Sequence, residues 1–177
     1  MTFVHDLTQK LEDNRELISE WMAKKRSEVP IPIYGSVDIR DAGWKVAVVD
    51  ANHFPAGFNN TSPEDEPHLA ALLRNHINRK HEGCTWVHLY PESHTRNAGY
   101  VENVATIKRL IEAAGFRCTV GSPELEEHGF LDGITGPLKL DAVEIDGDKL
   151  LIGGETPCLV LLNNDLTEGM VGGLGAH

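Results

Sequence analysis

Short polar side chains follow three apolar runs of this sequence, at the point where each run ends. Asp50-Ala51-Asn52 follows the run that begins at Trp44, and Pro91-Glu92-Ser93-His94 and Asn163-Asn164-Asp165 follow two later runs. In open α/β sheets, ligands bind outside the carboxyl ends of the parallel strands, and neighbouring strand ends share one edge. If the three runs are parallel strands, their polar ends therefore line one ligand site. The alternative is that these residues only form turns, as Asn, Asp and Ser often do after strands.

Two arginines and one polar loop accompany these strand ends. Arg40 lies ahead of the first run, in the polar stretch 36–41 together with Asp38, and Arg96 follows the second run. The planar guanidinium of Arg suits carboxylates, because it can donate two parallel hydrogen bonds to them. The loop Phe54–Asn60 follows the first run and adds amide side chains at its end. These residues are candidates for a binding cleft, and the alternative for each Arg is a solvated ion pair.

The strands that carry the polar ends are predicted from four apolar runs. We expect buried, mostly parallel strands at residues 44–50, 84–90, 116–120 and 158–163. Asp146-Gly147, flanked by apolar residues near 138–152, is a strong signal for an antiparallel hairpin.

Helical periodicity predicts the layers that cover this sheet. Residues 3–25 have apolar residues at helical spacing, and we expect one amphipathic helix that ends before Pro30. Ser62 and Pro63 carry the capping signals of a second helix, and a third is expected from Asn97 to Ala114. The predicted fold is a three-layer α/β unit with a mostly parallel sheet.

Length and charge limit the possible functions. The chain has 177 residues, enough for one domain with a sizeable core, and its formal net charge is -11. The negative charge argues against binding to nucleic acid or to an anionic membrane, both of which attract clustered Lys and Arg. No apolar run approaches the roughly 18 to 20 residues of a membrane helix, and no signal peptide is visible. We therefore expect a cytoplasmic protein.

The three cysteines, Cys84, Cys118 and Cys158, are odd in number and have no paired spacing. Each one flanks or lies in an apolar, strand-like run. We therefore predict reduced, buried thiols, as is usual in cytosolic proteins.

Sequence motifs for metals and nucleotides are lacking. There is no HExxH, no CxxC, no GxxxxGK[ST] loop and no GxGxxG between a strand and a helix. An alternative metal site would combine His94 with the carboxylates of Glu92 and Asp50. We predict no dedicated metal site.

Five segments of the sequence resemble one enzyme family. They are Tyr34–Gly43, Val49–Asn52, Phe54–Asn60, Pro91–Asn97 and Leu162–Leu166. On these segments the chain resembles the proteobacterial glutamate–cysteine ligase family, of the type first described in acidophilic iron oxidisers. The string FPAGFNN is the most specific, because seven residues that include Pro, Gly and two Asn seldom match through packing alone. The resemblance runs from the N-terminus to about Leu166.

The resemblance implies an ATP-dependent carbon–nitrogen ligase, similar to ATP-grasp enzymes, that joins glutamate to cysteine in the first step of glutathione biosynthesis. It implies ATP and Mg²⁺ as cofactors, bound by a nucleotide lobe beyond the end of this chain. Residues 1–166 would be a pre-ATP-grasp-like, substrate-binding N-terminal domain, and residues 167–177 a flexible tail at a truncation end. The alternative is a non-catalytic α/β module that binds an amino acid or a nucleotide.

Glutamate and cysteine each carry carboxylate and ammonium groups, and the candidate residues suit both. The arginines are expected to bind the carboxylates, and acidic side chains the ammonium groups. Amide side chains can fix orientation without adding charge, and no residue is assigned a catalytic role. The predicted substrate-binding residues are Asp38, Arg40, Asp50, Asn52, Asn59, Asn60, Glu92, His94, Arg96, Asn97, Asn163 and Asn164.

Overall fold

The structure, a computed structural model, describes residues 3–93 and 96–164. The chain divides into two compact units, of which the first ends at His53 and the second begins at Phe54. None of the helices in the described residues combines the length and the apolar character that crossing a bilayer requires.

Two helices open the first unit, where the sequence predicts one. α1 spans Phe3–Asp13 and α2 spans Arg15–Glu28. The break lies at Asn14, whose backbone leaves the helical region with φ -113° and ψ 16°. The Asn14 side chain donates a hydrogen bond to Lys10 O at 2.8 Å, and short polar side chains of this kind compete with the main-chain bonds of a helix. The prediction of one helix over residues 3–25 is therefore wrong.

A two-stranded antiparallel hairpin completes the first unit. β1 spans Ser36–Asp41 and β2 spans Val46–Asn52. Gly43 closes the turn between them, because it adopts a positive φ of 82° and donates its N–H to Asp41 Oδ1 at 2.7 Å. The prediction of a buried, parallel strand at 44–50 is wrong, because this short turn lets the apolar run pair locally with the polar stretch before it.

The hairpin has one apolar and one polar face, and neither strand contains a buried residue. Paired residues of antiparallel strands point to the same side of the sheet. Val37, Ile39, Val46 and Val48 therefore share the apolar face, where they are between 49% and 62% exposed.

A three-stranded parallel sheet forms the core of the second unit. Along the chain this unit contains α3 (Glu66–Lys80), β3 (Trp86–Pro91), α4 (Ala98–Ala113), β4 (Arg117–Val120), β5 (Phe130–Asp132), β6 (Pro137–Lys139), β7 (Glu144–Asp146), β8 (Lys149–Leu151) and β9 (Leu159–Asn163). β3 lies in the middle of the sheet, between β4 and β9, and all of its residues are buried. The predicted strands at 84–90, 116–120 and 158–163 are therefore confirmed as members of one parallel sheet.

Helices and hairpins surround this sheet. α4 packs on β3 and β4 through a buried face that includes Val104, Ile107 and Ile111, and α3 packs against α4. β5 and β6 form one antiparallel pair, and β7 and β8 form another. The hairpin predicted around Asp146-Gly147 is confirmed as the β7–β8 pair.

A disulfide joins Cys84 to Cys158, which are 74 positions apart, with their Cα atoms 5.6 Å apart. The prediction of reduced thiols is wrong for this pair, because β3 and β9 run parallel and bring together the residues just ahead of them. Cys118 is a buried free thiol, as predicted, and burial raises its pKa to about 12. The Cys118 thiol is therefore protonated at neutral pH.

Candidate functional site

A cleft lies at the carboxyl end of β3, where the sequence predicts the ligand site. Its volume is about 450 Å³, and its walls come from the loop Phe54–Asn60, the residue after β3 and the start of α4. The lining residues are Ala56, Gly57, Asn59, Glu92, Asn97, Gly99 and Tyr100. Asn59, Glu92 and Asn97 are predicted site residues, and the structure brings these three together.

Asn97 caps the N-terminus of α4. Its side-chain oxygen accepts hydrogen bonds from Gly99 N at 3.0 Å and from Tyr100 N at 3.4 Å. Such donors have no partner inside the helix, so the cap stabilises the first turn. The cap also fixes the start of α4 beside Glu92. The sequence predicts Asn97 as a ligand-orienting residue, and the structure shows that the helix already uses its oxygen.

The hydroxyl of Tyr100, a residue that lines the cleft, forms hydrogen bonds at the ends of two strands. It donates a hydrogen bond to Asn163 O at 2.7 Å and accepts one from Glu92 N at 2.8 Å. The ends of β3 and β9 are therefore joined through a side chain of α4. Tyr100 is not among the residues predicted for the site, because helical spacing places it with apolar residues and its hydroxyl carries no positional signal in the sequence.

A pair of buried amides connects α4 and β9 to the loop of the cleft. Asn103 Oδ1 accepts from Gly57 N and from Phe58 N, both at 2.9 Å, and Asn103 Nδ2 donates to Asn163 Oδ1 at 3.2 Å. Asn163 Nδ2 donates in turn to Pro55 O at 3.1 Å. Asn163, a predicted ligand contact, is thus buried behind the loop. Asn103 was not predicted, although it lies about one helical turn after Tyr100 in α4.

The remaining predicted residues of the second unit differ in their placement. Asn60 is exposed at the end of a short 3-10 helix, Phe58–Asn60, and is not part of the cleft lining. The Asn164 side chain donates a hydrogen bond to Pro91 O at 3.4 Å. His94 lies outside the described residues.

Arg96 lines a second cleft, of about 690 Å³, rather than the first. The lining residues are Ser93, Arg96, Ala98, His128, Phe130, Leu131 and Asp132. Among the described residues, Arg96 has no hydrogen bond or ion pair, so its guanidinium is available to an anionic group. The two clefts lie on the same stretch of chain, because Ala98 lines one and Asn97 and Gly99 line the other.

Four predicted residues of the first unit share the polar face of the hairpin. They are Asp38, Arg40, Asp50 and Asn52. The register pairs Asp38 with Asp50 and Arg40 with Ala47, and alternate residues of a strand point to the same side. This face therefore presents two carboxylates, a guanidinium and an amide, which suits a ligand with both ammonium and carboxylate groups.

His88, inside the parallel sheet, belongs to a polar chain with no part in either cleft. Trp86 Nε1 donates to Thr119 Oγ1 at 2.9 Å, the Thr119 hydroxyl lies 3.0 Å from His88 Nδ1, and His88 Nε2 lies 3.0 Å from Gly121 O. The carbonyl can only accept, so Nε2 carries the proton and the Thr119 hydroxyl donates to Nδ1. Burial lowers the pKa of His88 to about 4, so the ring is neutral at pH 7.

Within residues 3–93 and 96–164, no group of three or more His, Cys, Asp or Glu side chains is placed to hold a metal ion. Of the alternative metal site, His94 lies outside those residues, and Glu92 and Asp50 belong to different units.

Two comparisons with known proteins indicate the same family. The family profile described as glutamate-cysteine ligase, GshA, matches residues 8–175. A crystal structure of a protein assigned as a gamma-glutamylcysteine synthetase, from Methylobacillus flagellatus KT, is 33% identical to this chain and superposes with a TM-score of 0.86. The match covers 94% of this chain and 40% of that protein, so the chain spans less than half of its length. No curated protein sequence matches the chain. The chain belongs to the glutamate–cysteine ligase family.

Proposed function

We propose that this chain supplies the amino-acid-binding part of a ligase that forms γ-glutamylcysteine from glutamate and cysteine with ATP. The observation that carries this proposal is the cleft at the carboxyl end of β3, which holds one carboxylate among amide and main-chain groups. The family provides the reaction, and the cleft provides chemistry that suits an amino acid.

The two amino groups of the substrates make opposite demands on the protein. The cysteine amine attacks the activated γ-carboxyl carbon of glutamate, so it must lose its proton and cannot stay locked in an ion pair. The α-ammonium of glutamate takes no part and keeps its charge. The carboxylate of Glu92 therefore suits the glutamate ammonium group. Arg96 in the second cleft and Arg40 on the hairpin face are the candidates for substrate carboxylates.

ATP and Mg²⁺ enter this proposal through the family alone. The sequence has no glycine-rich phosphate loop, and the described residues place no group of side chains for a metal ion. ATP supplies the activation of the glutamate γ-carboxylate. The described residues fit neither group, so the roles proposed for this chain are limited to holding the amino acids.

The same proposal includes the arrangement of the layers and the location in the cell. We propose that residues 1–166 form a substrate-binding region with the three-layer, pre-ATP-grasp-like arrangement. The ligase would work in the cytoplasm, where glutathione biosynthesis supplies thiols. The tail proposed for residues 167–177 lies outside the described residues.

A coupled assay of ADP release tests the activity. Glutamate, cysteine, ATP and Mg²⁺ are supplied to this chain and, in parallel, to the Methylobacillus protein. We expect turnover by the longer protein and little or none by this chain, whose sequence has no glycine-rich phosphate loop. Calorimetric titration of this chain with glutamate should still show binding.

Each outcome supports or excludes one of the possible functions. Glutamate binding without turnover supports the proposal. Binding of ATP without any binding of glutamate or cysteine would favour a nucleotide-binding module instead. No turnover by the Methylobacillus protein would remove the reaction from the proposal.

A further inference from the structure

We propose that Asn103 and Asn163 are positioning residues that set the shape of the substrate cleft without touching the substrate. We call this pair, with its contacts to Pro55, Gly57 and Phe58, the amide clasp. The inference rests on the proposed function, because it assigns the clasp to the cleft in which glutamate binds.

The hydrogen bonds of the clasp determine the orientation of both amides. Gly57 N and Phe58 N can only donate, so the group of Asn103 that faces them must be its oxygen. Asn103 Nδ2 then needs an acceptor and finds Asn163 Oδ1 at 3.2 Å. Asn163 Nδ2 is left to donate to Pro55 O. Turning either amide over would oppose two donors or two acceptors.

Burial makes the hydrogen bonds of the clasp difficult to replace. Asn103 is 0% exposed and Asn163 is 1% exposed, so water cannot replace a lost partner. Asn163 is held from a second direction, because its main-chain oxygen accepts from the Tyr100 hydroxyl at 2.7 Å. The clasp therefore joins the loop to two rigid elements, α4 and β9.

The clasp controls residues that line the cleft. Pro55, Gly57 and Phe58 are held through main-chain atoms, and Ala56, Gly57 and Asn59 face the cleft between and beside them. Gly57 has a positive φ of 113°, so the turn at this point requires glycine and depends on its fixed amide. Loss of the clasp would move the wall of the cleft that the loop forms. Glu92 would stay at the end of β3, and Asn97 would stay at the start of α4.

Three variants test the clasp. Asn103→Ala removes its three side-chain hydrogen bonds. Asn103→Asp keeps an acceptor for the two loop amides but cannot donate to Asn163. Asn163→Asp keeps the acceptor for Asn103 but cannot donate to Pro55. The control is Glu102→Gln, a neighbouring buried position on α4, because the Glu102 carboxylate accepts hydrogen bonds from Thr135, at 2.9 Å from its main-chain N, rather than from the loop of the cleft.

The measurements are the dissociation constant for L-glutamate, hydrogen exchange of the Gly57 and Phe58 amides, and the unfolding midpoint of each full chain. For Asn103→Ala we expect roughly tenfold weaker glutamate binding and faster exchange at both amides. Asn103→Asp should keep both amides protected and still bind more weakly, since the link to β9 is lost. Asn163→Asp should also bind more weakly. Glu102→Gln should change the unfolding midpoint and leave glutamate binding within twofold.

A purely structural role predicts a different pattern. If Asn103→Ala and Glu102→Gln both lower the unfolding midpoint and both bind glutamate like the unaltered chain, the clasp does not position the cleft and the inference is overturned. If the unaltered chain itself binds no glutamate, the proposed function fails and the positioning role fails with it. Protected amides at Gly57 and Phe58 would then show that the clasp exists but serves the fold alone.

Discussion

Glu92 brings a carboxylate to a cleft whose other polar lining consists of amides, a phenol hydroxyl and the main chain. We predict that Glu92→Gln weakens glutamate binding roughly tenfold, because an amide keeps the hydrogen bond to an ammonium group and loses the attraction between charges. Calorimetric titration of the full chain measures the change. Glu126→Gln, at an exposed position, is the matched control. Equal affinities of the two variants would place the ammonium group elsewhere.

His88 provides a residue-level test of the buried polar chain. Its pKa is about 4 in the folded chain, below the ordinary value of 6.5. As the pH falls below 6.5, the unfolded chain gains a proton that the folded chain does not accept until near pH 4. The contribution of His88 to stability is therefore fully present above pH 6.5, and up to about 3 kcal/mol of it is lost on acidification towards pH 4.

The measurement for His88 is the free energy of unfolding by urea between pH 4 and pH 7. His88→Gln has no ring to titrate, so its stability should fall less steeply with acidification than that of the unaltered chain. The comparison uses the slopes, because the variant also loses packing at every pH. Parallel slopes would mean that the ring is already charged in the fold or gains its proton equally in both states.

At the scale of elements, the sequence predicts those strands whose burial is dictated by their own residues. The β3 and β9 runs are nearly unbroken apolar stretches, and such stretches belong to parallel sheets covered on both faces. The Val46–Asn52 run also begins with apolar residues but pairs antiparallel with Ser36–Asp41. The turn at Gly43 brings these two strands together. Hydrophobic periodicity does not reveal such a short-range turn.

The candidate site was predictable where a loop or strand end carries it, and not where a helix does. Glu92 and Asn59 stand out because polar residues after apolar runs have no packing reason to be there. Asn103 lies within the apolar face of α4. From the sequence, a single Asn among apolar residues gives no indication of a functional role. Its role comes from contacts with Gly57 and Asn163, which are 46 and 60 positions away.

The polar face of the hairpin yields a prediction for the element as a whole. If that face by itself binds a substrate carboxylate, Arg40→Ala should weaken the binding of an amino-acid substrate roughly tenfold, because a charge-assisted contact to a carboxylate is lost. Lys45→Ala, in the turn of the same hairpin, removes one positive charge from outside the paired strands and should leave binding unchanged. Titration of both variants measures the difference. Equal losses would indicate an effect of net charge alone.

At the scale of the whole molecule, the disulfide is unusual for a protein in the proposed location, the cytoplasm. Cytosolic reductants keep most thiols reduced, whereas Cys84 and Cys158 form a bond in this structure. The sequence could not pair them, because spacing along the chain says nothing about two residues that only a parallel sheet brings together. The same sheet explains why Cys118, on its other edge strand, stays unpaired.

Reduction of this disulfide should lower the stability of the chain substantially. The bond closes a loop across a separation of 74 residues, and the entropy that it removes from the unfolded chain corresponds to about 4 kcal/mol. The measurement is the free energy of unfolding by urea, with and without dithiothreitol. We expect a lower midpoint in the reductant, and the same loss in the double variant Cys84→Ala, Cys158→Ala without any reductant.

Two controls make the disulfide test specific. Dithiothreitol should have no further effect on the double variant, while Cys118→Ala, which keeps the disulfide, should respond to it like the unaltered chain. If the reductant leaves the midpoint of the unaltered chain where it was, the two thiols are already reduced in solution. That result would restore the expectation of a cytosolic protein with three free cysteines, and β3 and β9 would then be held together by their main-chain ladder and their apolar faces alone.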